Sequence, residues 1–344
     1  MSIAPLVRAN IKALAPYSSA RSEFKGAADI FLDANENPFE TGLNRYPDPL
    51  QWEVKDHISR LKNVPAKNIF LGNGSDEVID LLIRIFCEPR EDHILILPPT
   101  YGMYKVSASI ADVALREVSL SPDFQPDVTA ILAQSDAHSK LLFLCSPNNP
   151  TGNSFDLDSL HELCQKFQGI VVIDEAYIDF SAQVSFTTQL DQYPNLVVMQ
   201  TFSKAWGLAG IRLGMAFASE EIIGLLNKVK PPYNVNQLTQ KAALEALTDP
   251  EKQVKMVAIL LKERTRLEKT LKALPFVQKV FPSDANFILI RVADALGLYN
   301  DLVREKIIVR NRSNVHLCEG GIRISVGRPE ENDQLIQVLQ KLAS

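Results

Sequence analysis

Between residues 68 and 218, short apolar runs alternate with amphipathic stretches, and few architectures can bury such a pattern. "NIFLG", "HILIL", "LLFLCS", "GIVVIDEA", "LVVMQTFS" and "RLGMAFA" are too short for buried helices and rich in Ile, Val, Leu and Phe. Runs of this length and composition predict strands buried on both faces. Between them, "SDEVIDLLIRIFC" and "LDSLHELCQKF" carry the spacing of helices with one apolar face. Strand and helix in alternation predict an α/β fold, a mostly parallel sheet with helices on both faces. "RLGMAFA" follows its neighbour after only a short loop, so it is expected to run antiparallel.

The pattern changes after "VKPPYNVN". Residues 237 to 274 have helical periodicity with charge pairs four apart, as in "KERTRLEKTLKAL". "ANFILIRV" and "GGIRISVG" then predict strands, and "EENDQLIQVLQKLA" a closing helix. The 344 residues therefore divide into a large domain over 28–235 and a smaller α+β domain made of 1–27 and 236–344.

Several function classes are disfavoured by composition. The net charge is −5 with no basic block, which argues against a nucleic-acid partner. No run of about eighteen apolar residues is present to span a membrane. Proline and arginine interrupt the apolar residues of "MSIAPLVRANIKALAPYSS", so it does not read as a secretory signal, and a cytoplasmic protein is expected. Cys87, Cys145, Cys164 and Cys318 are widely spaced, and the first two lie in apolar runs as reduced core thiols do. Cys145 as a nucleophile would need a histidine, and none is near it in sequence. His316 and Cys318 are too few for a zinc site, so no metal is expected.

Ligands of open α/β sheets bind beyond the carboxyl ends of the strands. Four polar clusters fall there: Gly72 to Glu77, Asn149, Asp174 with Tyr177, and Thr201, Ser203 with Lys204. In "GNGSDE" the amides of Gly74, Ser75 and Asp76 would point at an anion from a helix N-terminus. The plainer reading is an ordinary turn with Ser75 as the helix cap. Thr201, Ser203 and Arg212 able to reach the same anion favour a phosphate cradle. Asp174 ends a strand of β-branched residues and needs a partner, either an arginine, a helix N-terminus or a protonated pyridine nitrogen. Lys204 sits among small residues in "TFSKAWGLAGIRLG" rather than on a solvated charged face. A partly desolvated amine there could form a Schiff base with an aldehyde and move protons.

These stretches, with "PTY", "SPNNPTG", "VVIDEAY" and "GGIRISVG", resemble the fold type I pyridoxal-phosphate enzymes, aminotransferase class I/II, along nearly the whole chain. The resemblance implies a seven-stranded, mostly parallel sheet and pyridoxal 5'-phosphate as cofactor. It implies that Lys204 bonds the cofactor covalently and moves the proton, and that Asp174 pairs with the pyridine nitrogen. Tyr177 and Asn149 would hydrogen-bond the ring hydroxyl oxygen, and Tyr101 would stack on the ring. Gly74, Ser75, Asp76, Thr201 or Ser203, and Arg212 would hold the phosphate. A homodimer with shared sites is implied, with Tyr46 of "NRYPDP" crossing from the partner. Arg323 would meet a carboxylate or phosphate of the substrate, with Arg310 and Tyr17 on the distal side. "LDANENPF", "LNRYPDP" and "IIVRNR" resemble members that exchange L-histidinol phosphate and 2-oxoglutarate with imidazole-acetol phosphate and L-glutamate, in histidine biosynthesis. Rival readings are an aromatic or broad-range amino-acid aminotransferase, a threonine-phosphate decarboxylase, and an inactive ligand-binding protein on the same fold. One departure is the short "ETGL" between "NENPF" and "NRYPDP", at the substrate entrance.

Overall fold

A computed structural model of the chain describes residues 2–17 and 29–343. Seven strands form one sheet: β1 (Ile69–Asn73), β2 (His93–Ile96), β3 (Ala114–Glu117), β4 (Ser139–Cys145), β5 (Ile170–Asp174), β6 (Leu196–Thr201) and β7 (Leu213–Ala218). Their order is β1-β7-β6-β5-β4-β2-β3. Strands β2 to β6 pair in parallel, and β7 runs antiparallel to both β1 and β6, as expected of "RLGMAFA".

Alternate side chains of the central strands enter different cores. Ile170 and Val172 of β5 join one cluster with Leu141 and Phe143 of β4. Val171 and Ile173 join another, on the opposite face, with Leu142 and Leu144. A sheet buried on both faces explains why these strands read as unbroken apolar runs. β3 escapes that reading because it is an edge strand of sequence "ALRE", with no fully buried side chain.

Helices α1 (Ala9–Ala13), α2 (Trp52–Lys62), α3 (Ser75–Phe86), α4 (Met103–Ile110), α5 (Val128–Ala133), α6 (Leu157–Lys166) and α7 (Glu220–Val229) accompany this sheet. α3 buries Val78, Ile79, Leu82, Ile83 and Phe86, the face that its i, i+4 spacing dictates. Gly74, not Ser75, occupies its N-cap, at φ +76, and Ser75 is the first helical residue. Asp127 and Asp156 cap α5 and α6 by accepting bonds from the amides of Ala130 and Ser159.

The helical stretch expected over 237–274 is two helices, α8 (Gln237–Leu247) and α9 (Pro250–Lys272). Proline suits the first turn of a helix and cannot donate inside one, so Pro250 restarts the chain, with Asp249 as the cap. A second sheet of β8 (Val277–Val280), β9 (Phe287–Val292), β10 (Arg310–Asn311) and β11 (Gly321–Ser325) has the order β10-β11-β9-β8, all antiparallel. α9, α10 (Ala295–Arg304) and α11 (Pro329–Leu342) bury Leu267, Leu271, Leu298, Leu335 and Leu339 against it.

The N-terminal segment differs from expectation. Sequence grouped residues 1–27 with the smaller unit, yet Ile3, Val7 and Ile11 pack in the large-sheet core with α3. Arg8 fastens the segment there through Glu88, at 2.9 and 3.0 Å. The boundary at residues 27 and 28 lies outside the described residues. No described helix is long and apolar enough to cross a membrane.

Where β7 meets the start of α3, Gly214 permits backbone-to-backbone contact: a Cβ there would lie 2.1 Å from the Ser75 nitrogen. Gly214→Ala is therefore expected to cost roughly 1–3 kcal/mol or more, as overpacking does. Gly224, inside α7, has nothing within 4 Å of an added Cβ. Gly224→Ala should gain roughly 0.5–1 kcal/mol. Urea unfolding of both variants checks this, and a Gly214→Ala midpoint equal to wild type would contradict it.

Candidate active site

The carboxyl ends of β1, β4, β5 and β6 and the start of β7 open onto one cavity of about 710 Å³. The second sheet closes it with arginines from β10 and β11. Of the residues singled out by sequence, Ser75, Asp76 and Tyr101, then Asn149, Asp174 and Tyr177, and finally Thr201, Ser203, Lys204, Arg212, Arg310 and Arg323 line it. Gly74 lies directly behind the lining, its amide donating to the Arg212 carbonyl at 2.7 Å.

One end is lined by hydrogen-bond donors of the kind that can hold an anion. Ser75 and Asp76 open α3, so their amides have no acceptor within the helix. Arg212, in the left-handed region at φ +53, brings its guanidinium within 3.4 Å of Asp76 Oδ2. A Cβ on Gly74 would fill this space, 2.6 Å from Arg212 Nη2. The Thr201 hydroxyl donates to the Leu213 carbonyl at 3.3 Å and accepts from the Ser203 amide at 3.1 Å. The Ser203 hydroxyl bonds no described residue and borders the cavity.

The centre is Asp174, 3% exposed at the end of β5. Tyr104 donates to Oδ2 at 2.7 Å and the Ala176 amide to Oδ1 at 3.1 Å. Burial pushes its pKa up, against the pull of these two bonds. It makes no ion pair with a described residue. Tyr104 was missed by sequence reading. It is fully buried, stacks on Phe143 with centroids 4.7 Å apart and meets the Tyr101 ring edge-on. The available signal was "YGMY", which sets two tyrosines three apart where a helix begins. Tyr101 itself donates to Asp76 at 3.0 Å.

Lys204 is half-buried, its Nζ 5.6 Å from the centre of the Tyr177 ring. Burial lowers its pKa and the nearby Arg323 and Arg212 lower it further, while Asp174 and Asp76 oppose them. Asn149 links two sides of the cavity. Its Nδ2 donates to the Tyr177 hydroxyl at 3.2 Å, and its Oδ1 accepts from Arg323. Cys145 also borders the cavity, but its thiol donates to the Pro147 carbonyl and burial pushes its pKa up, so it stays protonated.

The far end is cationic. Arg310 and Arg323 are cross-strand partners, and Arg312, which sequence reading did not single out, joins them on the lining. The Nε atoms of Arg312 and Arg323 are buried without a hydrogen-bond partner. Tyr17, expected on the distal side, is 76% exposed and does not line this cavity. Tyr46, expected to cross to a partner's site, stacks on Tyr233, centroids 4.4 Å apart, beside a separate cavity of its own chain.

Residues 29–339 match the family described as aminotransferase class I and II. The chain belongs to this family. Among relatives of this aminotransferase, the histidinol-phosphate aminotransferase of Parabacteroides distasonis is 57% identical over 337 residues, 98% of each chain. The solved histidinol-phosphate aminotransferase of Clostridium acetobutylicum is 25% identical, with a TM-score of 0.81 over 88% of this chain and 91% of that one. That of Sinorhizobium meliloti, solved in complex with pyridoxal-5'-phosphate, has a TM-score of 0.77 at 23% identity, over 87% and 84%. These likenesses show that the fold is shared.

Tyr104→Phe should leave Asp174 Oδ2 without its donor and cost about 1–3 kcal/mol at neutral pH. The bond favours the ionised carboxylate, whose pKa is already raised by burial. The penalty should therefore grow as pH rises above the ordinary carboxylate range and shrink toward acid. Unfolding measured across that range checks the sign. A penalty larger in acid than at neutral pH would contradict it.

Proposed function

We propose that this aminotransferase exchanges L-histidinol phosphate and 2-oxoglutarate with imidazole-acetol phosphate and L-glutamate, a step of histidine biosynthesis. Pyridoxal 5'-phosphate is the cofactor, and the enzyme is a cytoplasmic homodimer with shared sites. One observation carries this reading. A single cavity sets a lysine of lowered pKa near a buried carboxylate that has no ion pair among the described residues, with Arg212 on its lining beside the first turn of α3 and Arg310, Arg312 and Arg323 on its lining from the second sheet.

The residues present fit the cofactor. The space kept open by Gly74, beside the free amides of Ser75 and Asp76 and the Arg212 guanidinium, suits its phosphate. Ser203 is the hydroxyl left to join them, since that of Thr201 is engaged by the backbone. Asp174, lacking a cation, suits a protonated pyridine nitrogen, whose charge would offset the cost of burying the carboxylate. Bound there, the cofactor supplies an electron sink for charge developing beside the transferred nitrogen.

The chain supplies position and proton movement. Lys204 is held where burial and neighbouring guanidiniums favour its neutral amine, the form able to bond a carbonyl and accept a proton. Tyr177 and Asn149 offer hydrogen bonds to the ring oxygen, and Tyr101 offers a face for stacking. Arg323 is aimed at a substrate anion and braced by Asn149, with Arg310 beside it. Tyr46, 51% exposed and away from the cavity of its own chain, is available to a partner's site.

Mixing the holoenzyme with each amino donor alone and following the cofactor absorption tests the substrate. Histidinol phosphate and glutamate should each drive the change, with phenylalanine and tyrosine much slower in kcat/KM. A large preference for the aromatic acids, or carbon dioxide released from threonine phosphate, would overturn it. Lys204→Ala should lower turnover by at least about 10²–10⁴-fold, the loss of a proton carrier alone. Turnover within tenfold of wild type would remove Lys204 from the chemistry.

A further inference from the structure

Three guanidiniums line one end of the cavity, and no carboxylate among the described residues pairs with them. Arg310, Arg312 and Arg323 all line it, while its two acidic residues are engaged elsewhere: Asp76 with Tyr101 and Arg212, Asp174 with Tyr104 and the Ala176 amide. The three also stand unequally. Arg323 is bonded to Asn149 and lies over the Phe287 ring, so it belongs to the side of the site next to Tyr177. The side chains of Arg310 and Arg312 make no hydrogen bond or ion pair with a described residue. Both come from β10 and its immediate continuation, at the edge of the second sheet beyond β11. Arg312 is nonetheless half-buried, with Nε shut away from solvent and without a partner. A half-buried cation with no partner among the described residues, beside two others, is costly, and an anion that enters the cavity relieves it.

The number of cations exceeds what a carboxylate needs. An amino acid presents its α-carboxylate directly on the reacting carbon, which a single guanidinium can hold in a two-pronged contact, while the second carboxylate of L-glutamate is on the side chain, the substituent that carries the imidazole in histidinol phosphate. A phosphate monoester carries close to two negative charges and three acceptor oxygens. In histidinol phosphate it is also attached one carbon and one oxygen further out. Adjacent strands lie roughly 4.8 Å apart, so a step from β11 to β10 is of the size that this longer reach requires.

We propose that Arg312 is a specificity-determining residue of this aminotransferase, which closes with Arg310 on the phosphoryl group of the amino donor. Arg323, on the inner strand, is shared by both substrates. The inference rests on the donor proposed above and adds the residue that discriminates it from an uncharged analogue. Arg312 contributes its backbone amide to the Gly321 carbonyl at 2.8 Å, and that bond survives substitution of the side chain. Arg312→Gln thus removes a charge without breaking a hydrogen bond or ion pair between described residues.

The test compares histidinol phosphate with histidinol, its dephosphorylated analogue, as donors for wild-type, Arg312→Gln and Arg312→Lys holoenzymes. Wild type should favour the phosphorylated donor strongly in kcat/KM. In Arg312→Gln the ratio of the two values should fall by about 10- to 100-fold, the loss of one charged hydrogen-bonding partner. The change should lie chiefly in KM for histidinol phosphate, and Arg312→Lys should recover part of it. A ratio within threefold of wild type, or an equal fall for both donors, would overturn the role of Arg312. No preference in the wild-type enzyme would instead overturn the donor itself, and the assignment of Arg312 with it.

Discussion

A carboxylate buried at the end of the middle strand of a seven-stranded sheet is the constraint on which the site depends. Asp174 is almost wholly removed from water, and taking an ionised group into such surroundings is among the costliest steps in folding. Two donors among the described residues meet it, the Tyr104 hydroxyl and the Ala176 amide. To supply the first, α4 must bring a tyrosine fully into the core and stack it on Phe143. Lys204, on the loop after the neighbouring strand, feels the same carboxylate, yet burial and two guanidiniums keep its proton loosely held. A pair so arranged is poised for a cationic ring and a carbonyl to enter together.

Topology separates the tasks around that pair. Reversing β7 within an otherwise parallel sheet puts Arg212 at the same end as the first turn of α3. Gly74 and Gly214 let the two backbones approach closely enough for amides and guanidinium to face one anion. The second sheet provides the opposite wall, and its antiparallel register sets Arg310 directly beside Arg323. The lysine and the buried carboxylate therefore belong to the large sheet, while Arg310 and Arg323 belong to the small one. Asn149 ties the two, bonded on one side to Arg323 and on the other to Tyr177.

Sequence disclosed the parts governed by burial on both faces. The runs around Phe70, Phe143, Val172 and Val198 read as strands because both faces of the sheet are buried, and the polar residues that follow fall at the cavity because it opens at the strand ends. Other parts depend on contacts distant in sequence and left fainter marks. β3 and β10 are short or polar edges, so neither has an apolar run. Tyr104 reads as an ordinary core tyrosine until its hydroxyl is seen to reach Asp174, seventy residues away. Arg312 is one of two arginines in "RNR", and only the pairing of β10 with β11 turns both toward the cavity. The N-terminal segment carries no signal of which sheet Ile3 and Val7 will cover. Tyr17 lies off the cavity, where the residues flanking it gave no guidance, whereas Tyr46 was expected at a partner's site and lies off the cavity of its own chain.

The central claim is that Lys204 is the amine that bonds the cofactor. Two other lysines, Lys55 and Lys230, are also buried, and burial brings each down to about 8, so a lowered pKa alone does not select Lys204. What selects it is the cavity that it shares with Asp174 and the anion cradle. Borohydride reduction of the enzyme purified with its cofactor, followed by digestion and peptide mass spectrometry, distinguishes the three. The label is predicted on the peptide containing Lys204 and on no other lysine. A label on Lys55 or Lys230, or an unmodified Lys204 in an active preparation, would contradict the claim.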